Sequence, residues 1–531
     1  MISLSQRDTK TLTALHGWSG VLLGVLLYAV VVTGMLAVFA AEITTWSSGT
    51  VETRSALERP MDANIRARAA ETPADLQEEL FIFNTARNQL GLFFHKHVTH
   101  PDGTVGEEGI LWEVADDGTV LDKRVGTDEA VFEPDTGSAL GRFLVDLHVR
   151  LHLPNPWGLI LTGILGLAML LAAVTGLLIH RHLFKDMFTL RRNRGALLTA
   201  RDRHNVAGTW SLPFAFLLAF TGCFFSFATS FGLPALAIVA FGGDQEAMFE
   251  KLVGAPPAAD SRAAPVADLD AVIADSSRRA GQAPDYLFIG QYGRADANLE
   301  VTHPAPEGGL QATTFVYNGA TGAFSKAKPV IGTEPSLGGT LYSLMVPLHF
   351  GHFAGTLSKT VWFALGFATC FVTATGMGLW LRRRERQDDP AVRTLDRGLN
   401  LVVHGLPLAI AASGVGYFMT LSQQSTTFWV PASFLLASGG AILLAFVTGD
   451  AARLGRLLQQ ITGVTLLLLP VLRLATGGPG WDAAILAGQW LIPAIDLAMA
   501  MGGLAMLWRV RQARAVAPRA AFPNAAMEPA E

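Results

Sequence analysis

A chain of 531 residues that is 50% hydrophobic and only 16% charged is too apolar for an ordinary soluble enzyme. Its formal net charge of −4 gives no reason to expect nucleic acid as a partner. The two cysteines, Cys223 and Cys370, lie in apolar runs and form no C-x-x-C, which excludes covalent c-type haem attachment and argues against a zinc ribbon or a dithiol relay.

The first apolar run, 15–40, is too long for the core of a cleavable signal and ends without a cleavage site. It reads as a membrane helix. Segment 41–146 is water-soluble in composition. Its short apolar runs and turn signals, as in "GILWEVADDGTVLDK", predict a small α+β domain with a hairpin-rich sheet. Spans 157–180 and 207–230 flank a loop with Arg181, Lys185, Arg191, Arg192, Arg194, Arg201 and Arg203. Segment 231–348, with "TTFVYNGATGAFSK", repeats the soluble pattern. Spans at 359–381, 401–421, 428–449, 459–476 and 487–508 bring the total to eight.

The expected division is therefore a first span (1–40), a soluble domain (41–146), spans two and three with their loop (147–230), a second soluble domain (231–348) and a fourth span (349–385). A linker (386–400), four further helices (401–511) and a disordered tail (512–531) follow. "LRRRERQ" after span four, Arg453 and Arg456, and "WRVRQAR" fall on the same side as the basic loop if the spans alternate. The positive-inside rule makes that side cytoplasmic, with both termini inside and both soluble domains outside. Membrane lipid is thus an expected partner. The last four helices carry few ionisable residues at depth, chiefly His404 and Asp496, while Arg473 is expected at an outer interface. They read as a packing or partner surface.

The unit helix, soluble domain, helix occurs twice. His16 precedes Thr33-Gly34 by the same spacing as His204 precedes Thr221-Gly222. Aligned on Thr175-Gly176 and Thr375-Gly376, His152 matches His352, and His148 comes within one residue of His349. Two hairpins of one orientation imply a pseudo-two-fold axis along the membrane normal, so equivalent histidines face each other. His16 and His204 would form a cytoplasmic layer. His148 with His349, or His152 with His352, would form an outer one. Along a straight helix, His16 and Thr33 are about 26 Å apart, close to the hydrocarbon thickness.

A histidine at a helix end can simply face water, but facing pairs on all four helices point to ligation. A zinc site asks for three or four ligands, often with a carboxylate or thiolate. Facing imidazoles in a four-helix core suit bis-histidine haem b. Gly34, Gly176, Gly222 and Gly376 give each helix a side-chain-free patch, on which a macrocycle can lie or a neighbouring helix can pack. His180, in "GLLIHRHLFKD", reaches the cytoplasmic layer. It is a ligand in place of His16 or His204, or a propionate partner. His95, His97 and His100 in "FFHKHVTH" read as a solvated loop, with a metal or substrate site as the alternative.

At these residues the chain resembles the PepSY-associated transmembrane family, especially its iron-regulated and ferric-siderophore-reductase members. The matching segments are "LHGWSGVLLGVLLYAVVVTG", "TGLLIHRHLFKDMF", "RHNVAGTWSLPFAFLLAFTG" and "PLHFGHFAG". "VFEPDTGSALG" and "FVYNGATGAF" resemble the strand-turn-strand of PepSY domains. The resemblance covers residues 10 to 385 and implies a membrane-embedded four-helix core that binds b-type haem and reduces Fe(III)-siderophores outside. It favours His148 with His349, and includes His16, His180 and His204. The expected protein is an α-helical integral membrane protein of the bacterial inner membrane. It combines a four-helix core binding two haem b groups, two periplasmic PepSY-like domains and four additional C-terminal helices. As no soluble nucleotide-binding domain is present, electrons must come from a cytoplasmic protein or from quinol. A PepSY regulatory module with a membrane anchor, or a proton-coupled transporter using His and Asp496, are the competing readings.

Overall fold

The computed structural model describes residues 5–99, 105–180, 187–191, 195–253, 258–306, 308–384 and 390–516. His100, His182, Arg181, Lys185, Arg192, Arg194 and the tail from 517 onward lie outside the described residues. Among the described residues, seven helices are long and apolar enough to cross a membrane: Trp157–Ile179, Leu197–Phe227, Gly355–Arg382, Pro390–Gln423, Thr426–Thr448, Ala451–Ala475 and Leu491–Ala513. Apolar side chains such as Leu436, Leu443, Phe446 and Val447 stand exposed on these helices. This is what a bilayer-facing surface requires.

The eighth candidate crossing is a bent pair of helices. Gln6–Leu22 and Gly24–Ala37 meet at a bend of 66°, so the straight first helix read from the sequence is corrected, and with it the 26 Å separation along it. Glycine explains the break: it weakens a helix, and at Gly24 a Cβ would stand 2.8 Å from Met377 Sδ of the fourth span. The third span, its repeat equivalent, runs without a break despite Pro213. The fifth span begins at Pro390, inside the segment expected to be a linker. The last helix continues to Val516, into the segment expected to be a disordered tail.

The two soluble segments do not form separate sheets. Strands β1 (Glu79–Asn84), β2 (Leu90–Thr99), β3 (Val105–Val114) and β4 (Val120–Thr127) come from the first segment. Strands β5 (Tyr286–Gly290), β6 (Asn298–His303), β7 (Thr313–Asn318) and β8 (Phe324–Pro329) come from the second. All eight join in one sheet of order β4-β3-β2-β1-β5-β6-β7-β8. The seam is antiparallel, with Phe81 opposite Phe288. Alone, each four-stranded half would leave the inner edge of β1 or β5 unpaired, a template for association. Pairing them satisfies both edges and continues the pseudo-two-fold of the helices. Helices Asp62–Glu71 and Leu269–Ala280 cover one face, burying Ile65, Leu80, Ile82, Leu92, Leu287 and Ile289 in a shared core.

Connecting helices Ala139–Arg150 and Leu337–Phe350 lead from the sheet to spans two and four. The C-terminal helices pack on this assembly. Val403 and Leu406 of the fifth span sit against Tyr28, Val32, Cys370 and Met377. Trp46 and Phe143 share a core with Tyr417, Leu469 and Ile492.

Candidate functional site: two layers of paired histidines

Four histidines meet in two pairs. His16 faces His204 with ring centres 6.4 Å apart and planes crossed at 71°. His148 faces His349 with centres 6.2 Å apart and planes 26° from parallel. The second pair stands at the ends of the connecting helices, on the sheet side. The first stands on the opposite side, near the start of the first and third spans.

Each imidazole lies over the glycine of a Thr-Gly pair on another helix. A Cβ would stand 3.3 Å from the His16 ring at Gly176, 3.1 Å from His204 at Gly376, 2.6 Å from His148 at Gly34 and 3.4 Å from His349 at Gly222. In each hairpin the later span carries the glycine under the early histidine, and the earlier span the glycine under the late one. The repeat is thus preserved contact by contact. The glycines make room for imidazoles, a role the sequence reading did not assign them.

The threonines, read from the sequence only as alignment marks, also have work to do. His16 Nδ1 lies 3.1 Å from Ala172 O and 3.1 Å from Thr175 Oγ1. His204 Nδ1 lies 3.1 Å from Val372 O and 3.2 Å from Thr375 Oγ1. His148 Nδ1 lies 3.0 Å from Val30 O, and His349 Nδ1 2.8 Å from Thr221 Oγ1. A carbonyl can only accept. Thr175, Thr375 and Thr221 already donate to the carbonyls of Leu171, Phe371 and Leu217, so they too accept. His16, His204 and His148 therefore donate from Nδ1 to a carbonyl, and His349 does so when Thr221 donates to Leu217 O, which leaves the Nε2 lone pair for a ligand bond.

Spacing gives a fit test for the cofactor the resemblance implies. A metal–imidazole bond of about 2 Å, with roughly 1.2 Å from nitrogen to ring centre, puts trans-ligating imidazole centres about 6.4 Å apart. The observed 6.4 and 6.2 Å fit. No group of three or more His, Cys, Asp or Glu able to hold a bare metal ion occurs among the described residues.

The other predicted histidines are placed differently. His180 is the C-cap of the second span, one turn beyond Gly176. His152 is exposed, has a left-handed backbone (φ 57°) and bonds Asp146 Oδ2 at 2.8 Å. His352 is exposed, 6.3 Å from the Phe350 ring. Neither His152 nor His352 faces the other, so the register that paired them gives way to His148 with His349. That pair is set by the ends of the connecting helices, which turn back before the spans begin.

Two further clusters correct the sequence reading. His95 and His97 lie on β2, not in a loop, and His95 is buried. Its Nε2 is 3.1 Å from Glu79 and 3.6 Å from Glu107, and His97 is 3.3 Å from Glu79. Burial opposes charge on His95, but the bond to Glu79 and the Glu107 carboxylate outweigh it and raise its pKa. Arg473, expected at an interface, is fully buried against Asp496 at 2.6 Å. Both Asp496 oxygens are filled, by Trp46 Nε1 at 2.7 Å, Trp481 Nε1 at 2.8 Å and the Arg473 guanidinium. This clamp ties the C-terminal helices to the helix Ala40–Ser48 and leaves Asp496 no lone pair for a proton relay.

An uncharacterised Pseudomonas aeruginosa protein, PA4219, is 29% identical over 395 residues, covering 71% of this chain and 96% of the relative. The model of the PepSY-associated TM region matches residues 13–383, a stretch that holds all four paired histidines and ends before the fifth span. The chain belongs to the PepSY-associated transmembrane family.

Proposed function

We propose that this protein is a haem b electron conduit that reduces Fe(III)-siderophores on the sheet side of the membrane and so releases iron for uptake. One observation carries the reading: two facing imidazole pairs at ligation distance, every ring tied at Nδ1 and open at Nε2. When bound, haem b supplies a one-electron couple whose potential follows from its axial ligands and burial. His16 and His204 would hold one group, and His148 and His349 the other. Their carbonyl and threonine partners fix the tautomer and raise ligand basicity. An electron delivered to the chelate converts Fe(III) to Fe(II), which siderophores hold far more weakly.

Orientation follows from charge. Arg201, Arg203, Arg382, Arg383, Arg384, Arg453, Arg456, Arg509 and Arg511 lie on the side away from the sheet, which the positive-inside rule makes cytoplasmic. The sheet then faces the periplasm of a bacterial inner membrane. Electrons enter on the basic side from a cytoplasmic protein or from quinol. Reduced protein in sealed vesicles of known orientation tests this. A membrane-impermeant Fe(III)-siderophore should reoxidise it only when the sheet faces the chelate, and His148→Ala should abolish the reaction. Reoxidation from either side, or at the wild-type rate in His148→Ala, contradicts the reading.

A further inference from the structure

Next to the helix that carries His148 lies a cleft of about 330 Å³. Its walls come from the sheet, the loop 131–135, the helix Ala40–Ser48 and the connecting helix Ala139–Arg150. One of these elements, Ala139–Arg150, also carries His148 of the outer layer. Val145 lines the cleft one helical turn before His148, a rise of about 4.5 Å. Ala40 lines it just beyond the span whose Gly34 lies under the His148 ring. A ligand in the cleft therefore lies beside the helix that carries His148.

The chemistry of the lining narrows the ligand. Arg87 holds Glu113 at 2.9 Å and Asp135 at 3.2 Å, and Arg124 holds Asp122 at 2.8 Å, so all five charges are engaged in ion pairs, with one carboxylate in excess. Arg142 is exposed, and its guanidinium has no ion-pair partner among the described residues. The opposing free charge is Glu133, on the exposed rim. Phe83 and Phe132, with ring centres 5.7 Å apart, form an aromatic wall. The volume stands at the small end of ligand pockets, which run from about 300 to 1,000 Å³.

We propose that this cleft docks a compact ferric chelate with aromatic rings and a carboxylate. The rings would rest on Phe83 and Phe132, and the carboxylate would pair with Arg142. The inference rests on the reductase reading for its substrate class, so its test separates binding from reduction. The probe is the Ga(III) complex of N,N′-bis(2-hydroxybenzyl)ethylenediamine-N,N′-diacetate, which is aromatic, singly negative and not reduced by the protein. Calorimetry on the full chain in detergent should show binding that Arg142→Glu and Phe132→Ala each weaken about tenfold. Glu133→Gln, which removes the opposing charge, should tighten it. Arg278→Glu, on the exposed far face, should leave it unchanged. Ga(III)–desferrioxamine, larger and positively charged, should bind at least about tenfold more weakly.

Wild-type haem content and melting temperature in each variant exclude misfolding as the cause of lost binding. Affinity unchanged in both Arg142→Glu and Phe132→Ala, no binding at all, or equal affinity for the two chelates overturns the docking site. Binding with this pattern, joined to a failure to reduce the matching Fe(III) chelate, sinks the reductase reading and leaves the site. Reduction that ignores both variants sinks the site alone.

Discussion

The two histidine layers use the same parts and hold them differently. On the side away from the sheet, both rings sit on transmembrane helices, and each Nδ1 has two acceptors, a carbonyl and a threonine. On the sheet side, both rings sit on connecting helices, and each has one: Val30 O for His148 and Thr221 Oγ1 for His349. The ring planes are crossed in the first layer and near parallel in the second. A doubly anchored layer loses little when one anchor goes, whereas a singly anchored layer depends on each contact. The layer beside the sheet is thus the more adjustable.

The largest effect should come from the ligands. His204→Ala should remove one haem and leave the other, and His148→Ala should do the reverse, because the layers share no contact ring. Pyridine haemochrome assay should read about half the wild-type haem per protein in each. Loss of both from a folded single variant would mean that the layers are not independent.

Next come the glycines, and the approach distances rank them. Gly34→Ala forces the His148 ring to move, since the added carbon meets it at 2.6 Å, while Gly222→Ala places it at 3.4 Å, an ordinary contact. Haem retention on dilution should fall steeply for Gly34→Ala and hardly at all for Gly222→Ala, with Gly376→Ala and Gly176→Ala between. The reverse order would remove the glycines from the account.

The threonines distinguish the layers more finely. Thr221→Val deprives His349 of its acceptor, and outer partners of this kind are typically worth about 10- to 100-fold in affinity. Thr175→Val leaves His16 its Ala172 carbonyl and should cost less, as measured by haem transfer to an apo-protein acceptor. Asp496→Asn should leave haem content intact while breaking a buried ion pair, a loss of about 3–5 kcal/mol. Thermal unfolding should show it.

The smallest effect is in the sheet. A histidine whose folded pKa is raised contributes stability that is complete below its ordinary value of 6.5 and lost as pH rises through the raised value. His95→Gln should flatten the alkaline limb of the melting profile and leave both haem layers unchanged.

Much of this was legible because membrane helices write their length and polarity plainly. The candidate spans, the repeat, the Thr-Gly marks and a set of seven candidate histidines follow from spacing. Spacing alone, however, favours His152 with His352 in the outer layer, and only the family resemblance favours His148 with His349. What spacing hides is anything that depends on where a helix stops or bends. At the break after Leu23, Gly24 packs closely against Met377, far away in sequence. The choice of His148 over His152 comes from the left-handed turn at Leu151 and His152, which ends the connecting helix and turns the second imidazole outward. The single eight-stranded sheet comes from pairing between strands about two hundred residues apart, which no local pattern of either strand announces. The Arg473–Asp496 clamp was misread for the same reason, since neither residue names its partner.

The central claim, that both pairs ligate haem, is tested most directly by electron paramagnetic resonance of the oxidised, purified protein alongside haem quantitation. Crossed ligand planes keep the iron orbitals that π-bond to them nearly degenerate and give a strongly anisotropic low-spin signal, while near-parallel planes split them and give a rhombic one. Two haems per chain are expected, one signal of each type, the anisotropic one disappearing in His204→Ala and the rhombic one in His148→Ala. Protein from haem-replete cells that carries no haem, or only a high-spin signal untouched by either substitution, would contradict the account.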